Sequence, residues 1–575
     1  MSGDAGYDYF SDGITEEIIN ALSKVEGLKV TARTSSFAFK DAPTDIRKIG
    51  NELGVTNAVE GSIRIAKGRI RISTQLTRTD NGFLLWSEKF DRQLDDVFAL
   101  QDEISLLIAE KIRENFGHIE IDDSLATIHT QNLKAYQWYL KGRYFQLTWN
   151  LVNMENAIKY YKKSASIDPN YADPLVAIGW CYAIIASWRH IDRIEGLKKA
   201  EEYLNQGYRL NPDSYMGHFA KATISFWGNW KFQKGYEELR QCLEVNPYFG
   251  EANEALAELY TANGMFEEAL EETDHMLKIN PLSPNHYYTR GNIFYLTGQF
   301  DKAIKCFESS LKIDNSFDLS RHLKLACYIF QKNKSKAIDF AKTFLSDKFI
   351  VVIEEIFNAI NHQQRIEYNE FLLSEGENLM VFWDLYYYIY SGKTDIALDQ
   401  LESYVEDRIG QVINFQYDPF LTPLRDTQRY KDLVRNTFAH GQFQALRATK
   451  PTVLVTSGFE EDESIQLKQE LEALLQDAKL FLNPEISLRS LSEELGINPN
   501  KLSKFINDVL ETNFNELVNG YRLNHFKEIA IKPKNKHLTL LGLAYDSGFN
   551  SKTVFNTFFK KVEGTTPKQW LKGQG

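Results

Sequence analysis

The feature that most constrains the fold is a helical pattern that repeats about every 34 residues through the middle of the chain. Asn-Pro or Asp-Pro pairs end helix-like segments, and the next equivalent position is an asparagine; the markers are Pro169, Pro212, Pro247, Pro281 and Asn315. Small residues recur in phase where two helices would meet closely, at Gly179, Ala257, Gly291, Ala269 and Ala303. Large aromatic residues fill the positions between them. This period predicts a stacked array of helix pairs, an α-solenoid, over residues 130–440.

Two turns inside the array carry the most specific sequence words. They are Gly264-Met265-Phe266-Glu267-Glu268-Ala269-Leu270 and Gly298-Gln299-Phe300-Asp301-Lys302-Ala303-Ile304, which resemble the tetratricopeptide repeat. The resemblance implies a concave face that holds a peptide or a protein partner. An alternative stays open, in which part of that face packs on the N-terminal or C-terminal domain of the same chain. Gly392-Lys393-Thr394 is not a phosphate loop, because Tyr387 stands where that motif needs a glycine.

Residues 1–118 have the pattern of an α/β domain. A helix is predicted from Ser11 to Val25, and alternating segments predict strands at 59–65, 69–76 and 83–90, joined by turns at 66–68 and 80–82. A closing helix is predicted at 100–116. The words Tyr9–Glu17, Val59-Glu60-Gly61-Ser62 and Leu84-Leu85-Trp86-Ser87-Glu88 resemble the TolB amino-terminal-like domain. That resemblance implies one further strand ahead of Met1, so we expect the first strand to be missing from this sequence.

The four cysteines and the charge distribution narrow the class of protein. Cys181, Cys242, Cys306 and Cys327 are widely spaced, so neither a zinc site nor a redox motif is predicted, and no cofactor is expected. No apolar run reaches the roughly 18–20 residues of a membrane span. With no secretory signal at the start, we expect a cytoplasmic protein. The net charge is −12, but residues 483–575 carry 13 basic and 9 acidic side chains, so a phosphate-binding surface is expected only at the C-terminal end.

Two helix-turn-helix patterns occur in tandem in that C-terminal region. In the first, a helix at 488–495 ends at Gly496 and a second runs from Asn500 to Leu510; in the second, a helix at 540–546 ends at Gly548 and another runs from Ser551 to Val562. A long helix from about residue 513 to 531 would bridge the two units. We place this domain at 465–575, including a lead-in helix, after a linker at 441–464.

The C-terminal words resemble the DNA-binding domain of the AraC/XylS transcription regulators over about 90 positions. They are Leu543-Ala544-Tyr545-Asp546-Ser547-Gly548-Phe549, Phe555, Phe559-Lys560-Lys561 and Gly564-Thr565-Thr566-Pro567. The resemblance implies two recognition helices that enter successive major grooves of double-stranded DNA. The base-edge candidates that it implies are Asn498, Asn500, Lys501, Ser503, Lys504, Asn550, Ser551, Lys552, Thr553 and Asn556. The phosphate candidates are Arg522, Lys560 and Lys561.

The expected architecture is therefore multidomain and mostly α: an N-terminal α/β TolB-like domain, a central tetratricopeptide solenoid and a C-terminal all-α double helix-turn-helix. The favoured hypothesis is a sequence-specific transcription regulator, an activator that touches RNA polymerase, with the repeats as sensor or partner-binding region. The alternative is a repeat-based interaction scaffold whose helix-turn-helix domain does not bind DNA. An enzyme is not expected, because no metal-ligand spacing, nucleophile elbow or phosphate loop occurs. Such regulators often bind paired sites, which is compatible with a homodimer, although no segment specifies one.

Overall fold

The computed structural model of the protein describes residues 8–125, 130–147, 151–247, 249–373, 381–438, 459 and 461–574. These residues form two compact units. The larger contains residues 8–23, 29–98 and 130–438, and the smaller contains residues 24–28, 99–125, 459 and 461–574. Most of the predicted linker at 441–464 lies outside the described residues.

The larger unit begins with three helices, of which only the first is predicted, and a small antiparallel sheet whose strands the alternating pattern predicts. The elements are α1 (Asp8–Leu22), α2 (Arg33–Phe37), α3 (Ile46–Leu53), β1 (Asn57–Ala66), β2 (Arg69–Arg78) and β3 (Leu84–Gln93), with strand order β1-β2-β3. Lys67 and Gly68 connect β1 to β2 with positive φ angles of 51° and 75°, the geometry of a two-residue hairpin turn. Ile70, Ile72 and Leu76 are buried on one face of β2, which fixes the register of the sheet.

Helix pairs follow in the same unit. They are α5 (Leu133–Gln146) with α6 (Leu151–Ile167), α7 (Ala172–Ser187) with α8 (Arg193–Leu210), α9 (Tyr215–Thr223) with α10 (Phe232–Val245), α11 (Gly250–Ala262) with α12 (Phe266–Ile279), α13 (Pro284–Leu296) with α14 (Phe300–Ile313), and α15 (Asp318–Phe330) with α16 (Lys334–Ala341). Later helices are α17 (Asp347–His362), α18 (Trp383–Tyr390), α19 (Thr394–Glu406) and α20 (Gln428–Phe438). We call the surface formed by the first helix of each pair the inner face.

The small residues of the repeat stand where helices touch. A Cβ on Gly179 would lie 2.9 Å from the carbonyl oxygen of Ala200, and one on Gly291 would lie 2.5 Å from the ring of Phe307. Ala257 is completely buried. Larger side chains at these positions would push the paired helices apart, so the periodic small residues are a packing requirement.

Segments of the chain itself occupy part of the repeat surface. Helix α1 packs on α5, where Glu16 pairs with Arg143 and the backbone of Gly13 lies against Leu140. At the other end, residues 410–424 fold back on the array, and Tyr295 and Tyr386 both donate hydrogen bonds to Asp418. The sequence left open whether the repeats pack on the N-terminal region of the same chain. The structure shows that they do, where α1 packs on α5.

The smaller unit is all-helical. Its helices are α4 (Val97–Phe116, from residue 99 onward), α21 (Glu461–Glu472), α22 (Leu488–Glu494), α23 (Pro499–Asp508), α24 (Phe514–Ala530), α25 (Leu540–Asp546), α26 (Lys552–Glu563) and α27 (Pro567–Lys572). The predicted closing helix of the N-terminal domain corresponds to α4, and most of this helix belongs to the smaller unit. Among the described residues, no helix is both long enough and apolar enough to span a membrane.

Candidate DNA interface

The first helix-turn-helix consists of α22 and α23 around a shared apolar core. The Ser487 side chain accepts a hydrogen bond from the backbone N–H of Ser490 and starts α22. Gly496 turns the chain with a φ of +64°. The Asn498 side chain then accepts from the N–H of Asn500, 2.7 Å away, and Pro499 opens α23. Leu491, Leu502 and Ile506 are buried between the two helices, as the sequence spacing predicts.

The second helix-turn-helix, α25 and α26, has its own aromatic core. The Thr539 side chain caps α25 by accepting from the N–H of Gly542 at 3.0 Å. Phe549, Phe555 and Phe559 pack edge to face with ring centroids 5.1–5.7 Å apart, which holds α26 against the rest of the unit. At Gly548 the φ is +90°, and a Cβ would overlap the carbonyl oxygen of Phe481. Only glycine satisfies both conditions at this turn.

Helix α24 joins the two motifs, and Arg522 within it corrects one prediction. Arg522 is 6% exposed, and its guanidinium donates to the carbonyl oxygens of Phe481 and Asn483, both at 2.8 Å. Burial lowers the pKa of Arg522 to about 10. The side chain is therefore not on the surface where a phosphate would lie. It fixes α24 to the segment between α21 and α22, and its Nε atom lies beside Gly548 of the second motif.

The second recognition helix presents most of its predicted contact residues to solvent. Asn550, Lys552, Thr553 and Asn556 are exposed, and Ser551 is half-buried at the start of α26. Lys560 is exposed, and Lys561 is exposed and paired with Glu516 on α24. A helix whose first two turns expose amide, hydroxyl and ammonium groups can place donors and acceptors at base edges in a major groove.

The first recognition helix is only partly accessible. Lys501 is exposed and pairs with Glu463 at 2.5 Å, while Lys504 is half-buried. Ser503 is 4% exposed, because it lies on the core side of α23. The prediction that Ser503 reads a base edge is therefore wrong for this structure. Asn498 is exposed, but its side chain is the cap of α23.

The side chain of Asn500 forms hydrogen bonds with the end of α4 and with the residues that follow α4, in the same unit. Its Oδ1 atom accepts from Arg113 Nη1 at 2.6 Å and from the N–H of Ile121 at 3.2 Å, and its Nδ2 donates to the carbonyl oxygen of Ile121 at 3.1 Å. An asparagine reads adenine with these same two amide atoms. The Asn500 amide therefore does not face a duplex in this conformation.

Two glutamates of α4 extend the same contact to α22. Glu114 accepts from the N–H of Leu488, at the first turn of α22, at 3.0 Å. Glu110 forms an ion pair with Arg489 at 2.6 Å. The first N–H groups of a helix and a nearby arginine are groups that bind DNA phosphates in helix-turn-helix domains. Here two carboxylates satisfy them. We call residues 110–121 the covering segment.

The structure thus combines two features: stacked helix pairs in the larger unit, and two tandem helix-turn-helix motifs joined by α24 in the smaller unit. Comparison with family models supports both parts. Residues 491–573 match the model described as helix-turn-helix domain, which is the AraC-type motif, and residues 146–171 and 284–317 match tetratricopeptide repeat models.

The chain is also similar to proteins with names and solved structures. It is 36% identical over 234 residues to "Putative adenylate cyclase 3" of Rhizobium meliloti (strain 1021), and the match covers 40% of this chain and 39% of that protein. The chain thus spans well under half of the length of this curated relative. Among solved structures, pilF of Pseudomonas aeruginosa is 14% identical, with coverages of 36% of this chain and 90% of that chain and a TM-score of 0.30. Human IFIT1, solved as a dimer with m7Gppp-AAAA, is 15% identical, with coverages of 58% and 77% and a TM-score of 0.35.

Proposed function

We propose that this protein is a sequence-specific DNA-binding transcription regulator, an activator whose repeat region receives a signal or a partner. The observation that carries the proposal is the exposed start of the second recognition helix: Lys552 and Asn556 of α26, and Asn550 in the turn before it, are open to solvent. The helix-turn-helix family match supports DNA binding, and the tetratricopeptide matches support protein interaction.

The charge distribution supports the same reading of the domain. Residues 483–575 carry a formal charge of +4, whereas the rest of the chain is strongly acidic. Lys560 and Lys561, in the last turns of α26, can neutralise phosphates that flank the bases read by the first turns. Association with DNA should therefore weaken steeply as salt concentration rises, because bound counterions are released from the duplex.

The proposal is tested by DNA binding to the gene's own upstream region and by the effect of one lysine. Lys552→Ala should relax base preference by about 1–3 kcal/mol at the contacted position, measured by fluorescence anisotropy on a panel of single-base variants. Lys468→Ala, at an exposed lysine on α21, is the matched control for loss of one positive charge. The control should leave the ranking of sequences unchanged. If the wild-type protein shifts no upstream fragment at low salt, the proposal fails.

The second candidate is an interaction scaffold whose helix-turn-helix domain does not bind DNA. The contact between Asn500 and the covering segment favours it, because this amide is used inside the protein. The two candidates separate in a single measurement. A scaffold stays inactive toward DNA even when the covering segment is weakened by substitution, whereas a regulator binds.

Four further proposals accompany the regulator function. We infer that the protein works in the cytoplasm, touches RNA polymerase, and binds paired half-sites as a homodimer; co-sedimentation with a promoter fragment and polymerase measures the last two. We also infer that it is not an enzyme, despite the cyclase name of its relative. Incubation of the purified chain with ATP and divalent cations, followed by analysis for cyclic AMP, tests this directly.

A further inference from the structure

A cleft on the inner face of the repeats has the composition of a ligand site. It lies between α11, α13, α15 and α18 and is closed on one side by residues 410–421, and its inner space measures about 120 Å³. None of its lining residues is a lysine, an arginine or a histidine, while Glu258 and Asp418 both line it. The cleft is therefore electrostatically suited to a cation rather than to an anion.

The two carboxyl groups in the cleft are held in different ways. Asp418 accepts hydrogen bonds from Tyr386 at 2.7 Å, from Tyr295 at 3.1 Å and from the N–H of Phe420 at 3.0 Å, so it is satisfied by the protein. Glu258 accepts one bond, from Trp227 Nε1 at 2.9 Å. Burial, together with the neighbouring charge of Glu254, raises the pKa of Glu258 to about 8. Glu258 is the carboxyl group that a bound cation would stabilise most.

Two further polar atoms in the cleft lack partners within the described part of the chain. The Thr289 side chain is 3% exposed, and its Oγ1 atom makes no hydrogen bond. The Oδ1 atom of Asn414 is inaccessible and likewise makes none. Buried polar atoms are almost always satisfied, and each exception calls for a missing donor. Both residues line the cleft with Glu258.

Aromatic and aliphatic side chains form most of the remaining wall. Tyr288, Tyr295, Phe382, Tyr386 and Phe415 line the cleft. Aromatic faces attract ammonium and guanidinium groups and also cover an alkyl stem. The volume suits a small group rather than a folded peptide, because a protein cavity of about 150 Å³ holds a molecule of the size of benzene.

We propose that this cleft binds a primary ammonium or guanidinium group on a short apolar stem, with Glu258 as counter-ion and with Thr289 and Asn414 as hydrogen-bond acceptors. The inference deepens the signal-receiving role of the repeats and so rests on the proposed function, but binding of the cation is measurable without DNA. The group could come from a free amine or from a lysine or arginine side chain of a peptide.

The test is isothermal titration calorimetry of the full-length protein above the pKa of Glu258, where the carboxylate is available for pairing. The probes are n-butylammonium and n-butylguanidinium, with n-butanol as the neutral match, and a capped Ala-Lys-Ala tripeptide for the peptide source. At least one cation is expected to bind saturably while butanol does not. Tighter binding of the tripeptide than of butylammonium assigns the site to a peptide side chain, and the reverse order assigns it to a free amine.

Two variants assign the binding to the cleft. Glu258→Gln should weaken cation binding by at least about tenfold, because a buried charge partner is lost. Thr289→Val, which removes one acceptor with little change of shape, should weaken it by a smaller factor. Glu267→Gln, on an exposed position of α12, removes the same charge elsewhere and should leave the affinity unchanged. Equal binding of butanol, absence of saturable binding by both cations, or equal affinities of the Glu258 and Glu267 variants would overturn the inference. Failure to bind DNA would leave these titrations unaffected, so the two proposals fail separately.

Discussion

Weakening the covering segment should strengthen DNA binding, and the structure sets the size of the effect. The perturbation is the double substitution Glu110→Gln and Glu114→Gln. Glu110 pairs with Arg489, which is 45% exposed, and such an ion pair contributes only about 0.5–1 kcal/mol. Glu114 makes a charged and mostly buried hydrogen bond to the N–H of Leu488, worth about 1.5–3 kcal/mol, of which a glutamine retains roughly half.

The double variant therefore loses about 1.3–2.5 kcal/mol of contact between the covering segment and α22. If α23 must be uncovered to dock on DNA, that loss appears as tighter binding by about eight- to seventyfold. The assay is fluorescence anisotropy on the preferred upstream fragment at fixed salt. Fewer acidic groups also raise affinity for any polyanion, so the matched control is Glu470→Gln with Glu472→Gln on α21, which removes the same charge outside the covering segment.

Hydrogen exchange gives an independent readout of the same event. Amides of α23 and of residues 110–121 should exchange faster in the double variant and not in the control. Equal gains in affinity for the two double variants would show that only net charge was felt. That outcome would refute the reasoning that the covering segment competes with DNA.

The remaining predictions concern stability and pH. Gly548→Ala should destabilise the C-terminal unit by about 3–5 kcal/mol, because it combines a left-handed φ with overlap on Phe481. Gly564→Ala, at a φ of +71° with no atom within 4 Å of the added Cβ, should cost only about 1 kcal/mol. Hydrogen-exchange rates of the α26 amides compare the two variants, and similar losses of stability would contradict the packing argument. His322 is buried and accepts a hydrogen bond from Trp383, and burial lowers its pKa to about 4. The stability that neutral His322 contributes is therefore present above the ordinary pKa of 6.5 and is lost as pH falls through 4. The difference in free energy of unfolding between wild type and His322→Gln, measured in urea, should shrink over that range. Glu258 should give a pH dependence of stability with the opposite sign, since its pKa is raised from 4.5 to about 8. The folded state keeps a proton that the unfolded state has lost, so the free energy of unfolding falls as pH rises between these values. Glu258→Gln should remove that slope, whereas Glu267→Gln should retain it.

The helices of the C-terminal unit were predictable because their signals are local. Caps at Ser487, Asn498 and Thr539 and the glycines at 496 and 548 mark the ends of α22, α23 and α25 within a residue or two. The same holds for the hairpin at Lys67-Gly68 and for the repeat turns. Each of these features is decided by the conformational preference of a few neighbouring residues.

The orientation of individual side chains was less predictable. Ser503 and Arg522 fit the sequence positions of DNA contacts, yet both are buried. For Ser503 the reason is that the core side and the outer side of a recognition helix alternate within one turn. A match of sequence positions to the family's DNA contacts does not show whether a side chain lies on the core side or on the outer side of the helix. For Arg522 no local signal exists: its acceptors, the carbonyl oxygens of Phe481 and Asn483, lie about 40 residues earlier in the chain.

The contacts of the covering segment could not be predicted from the sequence. Its contacts join Arg113 to Asn500 and Glu114 to Leu488, across more than 370 residues. The helical period of α4 predicts an apolar face, but not which core receives that face. The sequence therefore placed α4 with the nearest sheet, and the structure places most of it with the C-terminal helices.

The connection between the two helix-turn-helix motifs explains why the covering segment matters for DNA binding under the proposed function. Arg522 ties α24 to the segment before α22, and its Nε atom lies beside the turn at Gly548, so this one side chain lies next to both helix-turn-helix motifs. Under the proposed function, binding of DNA by α23 therefore requires the Asn500 amide to leave Arg113 and Ile121, whereas α26 is already open to solvent. The carboxylates of Glu110 and Glu114 hold α22 to the same covering segment and so oppose that release.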